Sequence, residues 1–180
     1  AADGDTVWVG DGTYALTGPV TVTNGLTVRG LNGRDKVTLD GRGATRCLVL
    51  AHPNAVVQGV SLVNGLLWFP PGVDLGGAGA LIHAGSLTHC RIACCGFFRG
   101  EYRYGYGGGV CLLSGTVQHC IIVSNVVSSG LADFLSCGGG IYNRGGIVRD
   151  CLIRANRAQY GGGADNRALM QRCDVSFNIS

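Results

Sequence analysis

Apolar and polar residues alternate along this chain in short stretches, TVWV (6–9), VTVT (20–23), LTVR (26–29), KVTLD (36–40), CLVL (47–50) and VSLV (60–63), most of them bounded by Gly, Asn, Asp or Pro. A period of two sends successive side chains to opposite faces of a strand, and no segment sustains the 3.6-residue period of a helix. The pattern therefore predicts short β-strands punctuated by turns.

In the second half the pattern becomes a repeat. SLTHCRIACC (86–95), TVQHCIIVSN (116–125), IVRDCLIRAN (147–156) and LMQRCDVSFN (169–178) superpose on a central cysteine, at spacings of 30, 31 and 22 residues. A cysteine-free copy, VVQGVSLVN (56–64), aligns with Gly59 at the cysteine position and Asn64 at the final asparagine position. Periods of this size mark stacked architectures, because one unit cannot bury its own apolar face. The residues three before the cysteine (Leu87, Val117, Val148, Met170), the cysteine, and the residue two after it (Ile92, Ile122, Ile153, Val175) are expected to share the interior. With two or three strands per unit and no helix between them, the chain is expected to be all-β, a parallel β-helix (solenoid) of about six to seven coils. Side chains then stack coil on coil, which predicts an internal column of Cys90, Cys120, Cys151 and Cys173, and another of Asn64, Asn125, Asn156 and Asn178 with Cys95 replacing one asparagine. Neighbouring coils bring Cα atoms to about 4.8 Å, within disulfide range, so one or two bridges are compatible with the cysteine column.

The string GDTVWVGDGTY (4–14), followed by LTVRGLNG (26–33), VTLDG (37–41) and VVQGVSLVNG (56–65), resembles the opening of right-handed parallel β-helix proteins of the pectate-lyase-like superfamily. The later units, with GGGV or GGGI before the strand and Ile122 to Asn125 or Ile153 to Asn156 at its end, resemble the Gly-Gly-Ala-aliphatic and Phe-x-x-Asn repeats of bacterial polymorphic outer-membrane proteins. This resemblance covers nearly the whole chain. It implies a right-handed coil and a bacterial, extracellular or cell-surface setting. The superfamily spans lyases, hydrolases, esterases, adhesins and surface-repeat proteins, so function has to be sought in the site.

Composition narrows the classes. Of 180 residues, 46% are hydrophobic, 14% are charged and 32 are glycine without a period of three, which excludes a disordered tail and collagen. No apolar run approaches the roughly 20 residues of a membrane-spanning helix, so no transmembrane segment is expected. The net charge of +3 is scattered and forms no basic block, so nucleic acid is not expected as a partner. Nine cysteines exceed what a reducing cytosol usually holds, and their odd number leaves at least one thiol unpaired within the chain.

Candidate chemistry is sparse. The strings of polygalacturonase-like, pectin-esterase-like and pectate-lyase-like sites are absent from the sequence, and the repeat strands carry only Asp150 and Asp174, in different columns. Each long loop contributes one acid (Asp74, Glu101, Asp133), at unequal offsets from the glycines that follow. A carboxylate pair for glycoside cleavage is not implied by that spacing. His89-Cys90 and His119-Cys120 recur on adjacent coils, but a buried cysteine cannot share an ion with an outward histidine, which leaves a surface histidine pair. GGGADN (161–166) differs from the calcium-binding nonapeptide in placing its aspartate one residue early. Glycine runs without a following Lys-Ser/Thr are expected to be coil corners. No catalytic residue, cofactor or metal is assigned.

Individuality lies in the loops between the asparagine position and the next glycines: LLWFPPGVDLG (66–76), GFFRGEYRYGY (96–106), VVSSGLADFLSC (126–137) and the short RAQY (157–160). Inserted at one corner, they are expected to lie side by side. Trp68, Phe69, Phe97, Phe98, Arg99, Tyr102, Arg103, Tyr104 and Tyr106 are the candidate ligand- or partner-binding residues, since tyrosine with arginine is the composition of interfaces and sugar platforms. The competing reading is that the rings pack on one another and shield the coils. Neither end of the sequence shows an amphipathic cap, so the chain is expected either to be part of a longer array or to self-associate head to tail through open strand edges. The leading expectation is a non-enzymatic structural or adhesive surface module. Its rival is a polysaccharide-binding or polysaccharide-degrading protein that uses the loop flank.

Overall fold

The interior side chains set the register. Leu62, Ile92, Ile122 and Ile153 are fully buried and lie opposite one another on consecutive parallel strands, flanked by Leu39 before and Val175 after. A one-residue slip would turn every member of this row to solvent, and each buried Leu or Ile contributes about 1.5–3 kcal/mol by its burial. In the computed structural model of the chain, which describes residues 1–67, 76–98, 104–128 and 135–180, this rule repeats in every sheet.

The described residues are all-strand, with no helix among them, and every strand pair is parallel. The larger sheet runs Thr6–Val9, Thr27–Gly30, Leu48–Gln58, Ala80–Thr88, Val110–Leu112, Ile141–Asn143 and Ala164–Asn166, with Val20–Val22, Thr116–Gln118, Ile147–Arg149 and Leu169–Gln171 joined beside this path. The second sheet stacks Gly12–Ala15, Val37–Asp40, Ser61–Val63, Arg91–Ala93, Ile121–Val123, Leu152–Arg154 and Asp174–Ser176. A third, small sheet joins Leu66–Leu67, Gly96–Phe98 and Val126–Ser128, and a fourth joins Tyr104–Tyr106 to Leu135–Cys137. Each strand thus pairs with its counterpart one repeat away, an arrangement consistent with a parallel β-helix or solenoid.

The core lies between the two large sheets and draws buried side chains in register from every repeat, including Val57, Leu87, Val117 and Val148. Glycine runs form corners at which backbones touch. Gly77, Gly107, Gly138 and Gly161 all have positive φ, from 56° to 79°. The last glycine of each run is required for a different reason. A Cβ on Gly109, Gly140 or Gly163 would come within 2.9 Å of the Asn125, Asn156 or Asn178 side chain.

Superposition corrects the alignment of the cysteine-free repeat. Because Leu62 lies opposite Ile92, Val60 is the buried counterpart of Cys90, and Gly59, with φ 67°, is the counterpart of His89, with φ 52°. Gly65 then aligns with Cys95, so Asn64 stands one residue before the asparagine position. Matching the glycine to the cysteine fails because what the coils keep in register is the phase of the buried side chains.

Candidate functional site

Two corners flank the Ser61–Val63, Arg91–Ala93, Ile121–Val123, Leu152–Arg154 and Asp174–Ser176 strands, and both are left-handed. Before the strands stand Gly59, His89, His119, Asp150 and Arg172, and after them Asn64, Cys94, Ser124, Ala155 and Phe177, all with φ between 48° and 67°. Isolated left-handed residues turn the backbone sharply enough to bury the next side chain. At the first corner that next residue is Val60, Cys90, Cys120 or Cys151, all buried. At the second it is Gly65, Cys95, Asn125 or Asn156.

The asparagines of three successive repeats are hydrogen-bonded to one another. Asn125 Nδ2 donates to Asn156 Oδ1 at 3.0 Å, and Asn156 Nδ2 donates to Asn178 Oδ1 at 3.0 Å. The same oxygens accept the backbone N–H groups of Asn125 and Asn156, each at 2.9 Å. Asn64 is outside this row; it is exposed, and its Nδ2 donates to Asp40 Oδ1 at 3.0 Å. Cys95 occupies the asparagine position and donates its backbone N–H to Asn125 Oδ1 at 3.0 Å.

All nine cysteines are free thiols. Cys90, Cys120 and Cys151 each hydrogen-bond a carbonyl two residues back, at 3.1 to 3.2 Å, and lean towards a carbonyl of the preceding coil. Burial, followed by hydrogen bonds to Cys151 and Cys90, pushes the Cys120 thiol well above the usual thiol range. Cys95 is likewise raised well above it, chiefly by its hydrogen bond with Cys47 and next by burial. Cys151 is lowered instead, chiefly by its hydrogen bond with Cys120, and in Cys90 burial is outweighed by bonds to Cys120 and to the backbone, so that it too is lowered; all of these thiols pack in the interior. Cys94 is the exposed exception.

At the second corner an open groove of about 670 Å³ runs across four coils. It is lined by Asp40, Arg42, Asn64, Leu66, Cys94, Gly96, Ser124 and Val126 among others. Asp40 Oδ1 accepts from Asn64 Nδ2 and from the Arg42 backbone N–H at 2.8 Å, which fixes the carboxylate and positions Arg42 beside it. Leu66, Gly96 and Val126 belong to the third sheet, from which the long loops emerge, so the groove lies at the foot of those loops. It offers hydroxyl, amide, carboxylate and guanidinium groups over apolar walls, a set suited to hydrogen-bonding a polyhydroxylated ligand.

The loop candidates separate. Trp68, Phe69, Arg99, Tyr102 and Arg103 lie outside the described residues, as do Asp74, Glu101 and Asp133. Phe98 and Tyr104 lie on strands of the third and fourth sheets. Phe97 is buried against Val127, Ala158 and Leu67, so its ring is packing and not a ligand surface. Tyr106 is half-buried, with its ring centroid 4.6 Å from that of Tyr142, over which the Arg167 guanidinium lies at 5.2 Å. The bases of the loops do stack in register, since Gly96 faces Val126 and Leu66, and Tyr106 faces Cys137.

Other charged groups are engaged structurally. Asp165, which lies on the Ala164–Asn166 strand, pairs with Arg167 at 3.3 Å, and Asp150 accepts two bonds from Arg172 at 2.6 and 2.8 Å. Arg172 holds the Asp150 carboxyl below its ordinary range. Among the described residues no three His, Cys, Asp or Glu side chains converge on a metal position, and no helix is long and apolar enough to cross a membrane. The groove was missed in sequence because its residues come from four repeats, and only stacking brings Asp40, Asn64, Cys94 and Ser124 together. Comparison with protein-family models, with curated proteins and with solved structures found no match to this chain.

Proposed function

We propose that the chain is a right-handed parallel β-helix of the pectate-lyase-like type, with about six to seven coils and internal cysteine and asparagine ladders in its later coils, that serves as an extracellular structural and adhesive module. The observation that carries the adhesive role is the four-coil groove at the foot of the aromatic loops. It presents a fixed carboxylate–amide pair, a guanidinium and a hydroxyl on a scaffold whose coils are hydrogen-bonded to one another. A rigid stack holds such groups in place before a ligand arrives, which lowers the entropic cost of binding.

The groove also favours a second reading, in which the adhesive target is a polysaccharide. Coils repeat about every 4.8 Å, so an extended sugar chain lying along the stack meets a new set of polar groups at each coil. The test is retention of the chain on immobilised neutral and acidic polysaccharides, with release of reducing ends measured in parallel. Retention without release, weakened roughly tenfold by Arg42→Ala (about 1.4 kcal/mol), is the expected result. Release of reducing ends would replace adhesion by degradation. Absence of retention on every polysaccharide would remove the sugar reading and leave the structural one.

A further inference from the structure

The first corner carries a feature that neither the groove nor the packing uses. His89 and His119 occupy equivalent left-handed positions on successive coils, with φ 52° and 53°, and both are exposed. Their ring centroids are 4.8 Å apart, with the planes tilted by 34°. The row begins at His89, the preceding member being Gly59, where a Cβ would make ordinary contact with the Gly33 Cα at 3.5 Å. It is followed by Asp150, whose carboxylate is taken by Arg172. Arg34, which also reaches this corner, directs Nη1 to the His119 carbonyl at 3.2 Å.

A second observation concerns orientation. The Thr88 hydroxyl, on a residue only 7% exposed, lies 2.8 Å from His89 Nδ1. When Nδ1–H donates to that hydroxyl, the ring is fixed in the tautomer whose Nε2 carries the lone pair, the arrangement found in metal-ligating histidines. The two imidazoles are held by backbone corners that the solenoid spaces at one coil, so they meet an ion already paired.

We propose that His89 and His119 form a surface site for a divalent transition ion of the zinc class, bound through the Nε2 atoms of both rings and completed by water. Imidazole ligands select this class over magnesium or calcium. Zn–N bonds of about 2.0–2.1 Å place two tetrahedral nitrogens about 3.4 Å apart, so binding requires the two rings to turn about their side-chain bonds until both Nε2 lone pairs converge on one ion. The bound ion ties two coils together from outside, beside the column of thiols within.

Isothermal titration of the full chain with zinc chloride at pH 7.5, with magnesium as control, tests the site. The expected result is one zinc per chain, weakened at least tenfold by His89→Asn or His119→Asn, weakened about tenfold by Thr88→Val, and unchanged by Cys94→Ser. Asparagine is chosen because it accepts left-handed φ. Zinc-induced shifts of the imidazole resonances in the unsubstituted chain give a second readout, expected at His89 and His119 and not at His52 or His83. Absence of binding up to millimolar zinc, equal affinity in the histidine variants, loss in Cys94→Ser instead, or resonance shifts confined to the other histidines would overturn the proposal.

Discussion

Asn156 Oδ1 accepts both the backbone N–H and the side-chain Nδ2 of Asn125, at 2.9 and 3.0 Å, in a position with no solvent exposure. One oxygen thus satisfies two donors of the preceding coil, while Asn156 Nδ2 donates down to Asn178 and across to the Ile122 carbonyl at 2.9 Å. At this corner the carbonyls of Asn125 and Asn156 still accept backbone N–H groups of the next coil, while the corner N–H groups are hydrogen-bonded through amides that run from coil to coil.

Removing that amide therefore orphans groups in two directions. Asn156→Ala leaves the Asn125 N–H and the Ile122 carbonyl without their side-chain partner, and each buried unsatisfied group costs about 1–3 kcal/mol. The expected loss is about 3 kcal/mol, read as a lower urea midpoint at unchanged slope. Asn178→Ala, at a partly exposed position, is expected to cost about half as much. Equal midpoints for the two variants would show that the amides are not acting as a buried chain.

Gly140 tests the same packing from the other side. A Cβ there would sit 2.6 Å from the Gly163 carbonyl oxygen and 2.8 Å from Asn156 Nδ2. Gly140→Ala is expected to destabilise by about 1–3 kcal/mol through overpacking. The Gly140→Ala/Asn156→Ala double variant is expected to lose less than the sum, with a coupling of about 0.5–3 kcal/mol in a double-mutant cycle. Strict additivity would mean that the glycine is needed only for backbone approach.

Particular residues show what the sequence revealed and what it hid. Ile92, Ile122 and Ile153 were legible because burial on one face of a strand imposes an alternation that any aliphatic residue satisfies. The corners were not, because the left-handed positions are filled by His89, Cys94, Ser124, Ala155 and Phe177, which share no chemistry. That is why Gly59 was aligned with Cys90 in place of His89, and Asn64 with Asn125 in place of Ser124. The groove depends on this missing information, since Arg42, Asn64, Cys94 and Ser124 meet only once the corners are in phase. The requirement for a third glycine was visible as a pattern, but its cause, the asparagine side chain packed against it, was not.

Thiol reactivity should separate Cys94 from the rest. A thiolate is the reactive species, and burial both raises the pKa and blocks access. Brief exposure of the native chain to iodoacetamide at pH 8 is expected to modify Cys94, with slow partial reaction at the half-buried Cys173 and no reaction at Cys90, Cys120 or Cys151 until denaturant is added. Peptide mass spectrometry reads the sites. Rapid modification of Cys120 in the native state would contradict its enclosure.

Two raised thiols make stability depend on alkaline pH, Cys95 chiefly through its hydrogen bond with Cys47 and Cys120 chiefly through burial. Cys95 and Cys120 are raised well above the ordinary thiol value when folded, and return to about 8.5 in the unfolded chain. Below pH 8 both states hold the proton, and these thiols contribute no pH dependence. Above about pH 8.5 the unfolded state loses protons that the folded state keeps, so the unfolded state binds fewer protons and stability falls as pH rises. Each such thiol adds a slope of up to about 1.4 kcal/mol per pH unit between its unfolded and folded values. Urea midpoints measured from pH 7 to pH 10.5 are expected to decline above pH 8.5. The decline should be shallower in Cys95→Ala, whatever that variant costs at pH 7, because the cavity penalty is independent of pH while the proton linkage disappears with the sulfur. An identical slope in the two proteins would mean that Cys95 ionises as readily inside the coil as in water, and would remove the raised thiols from the account of stability.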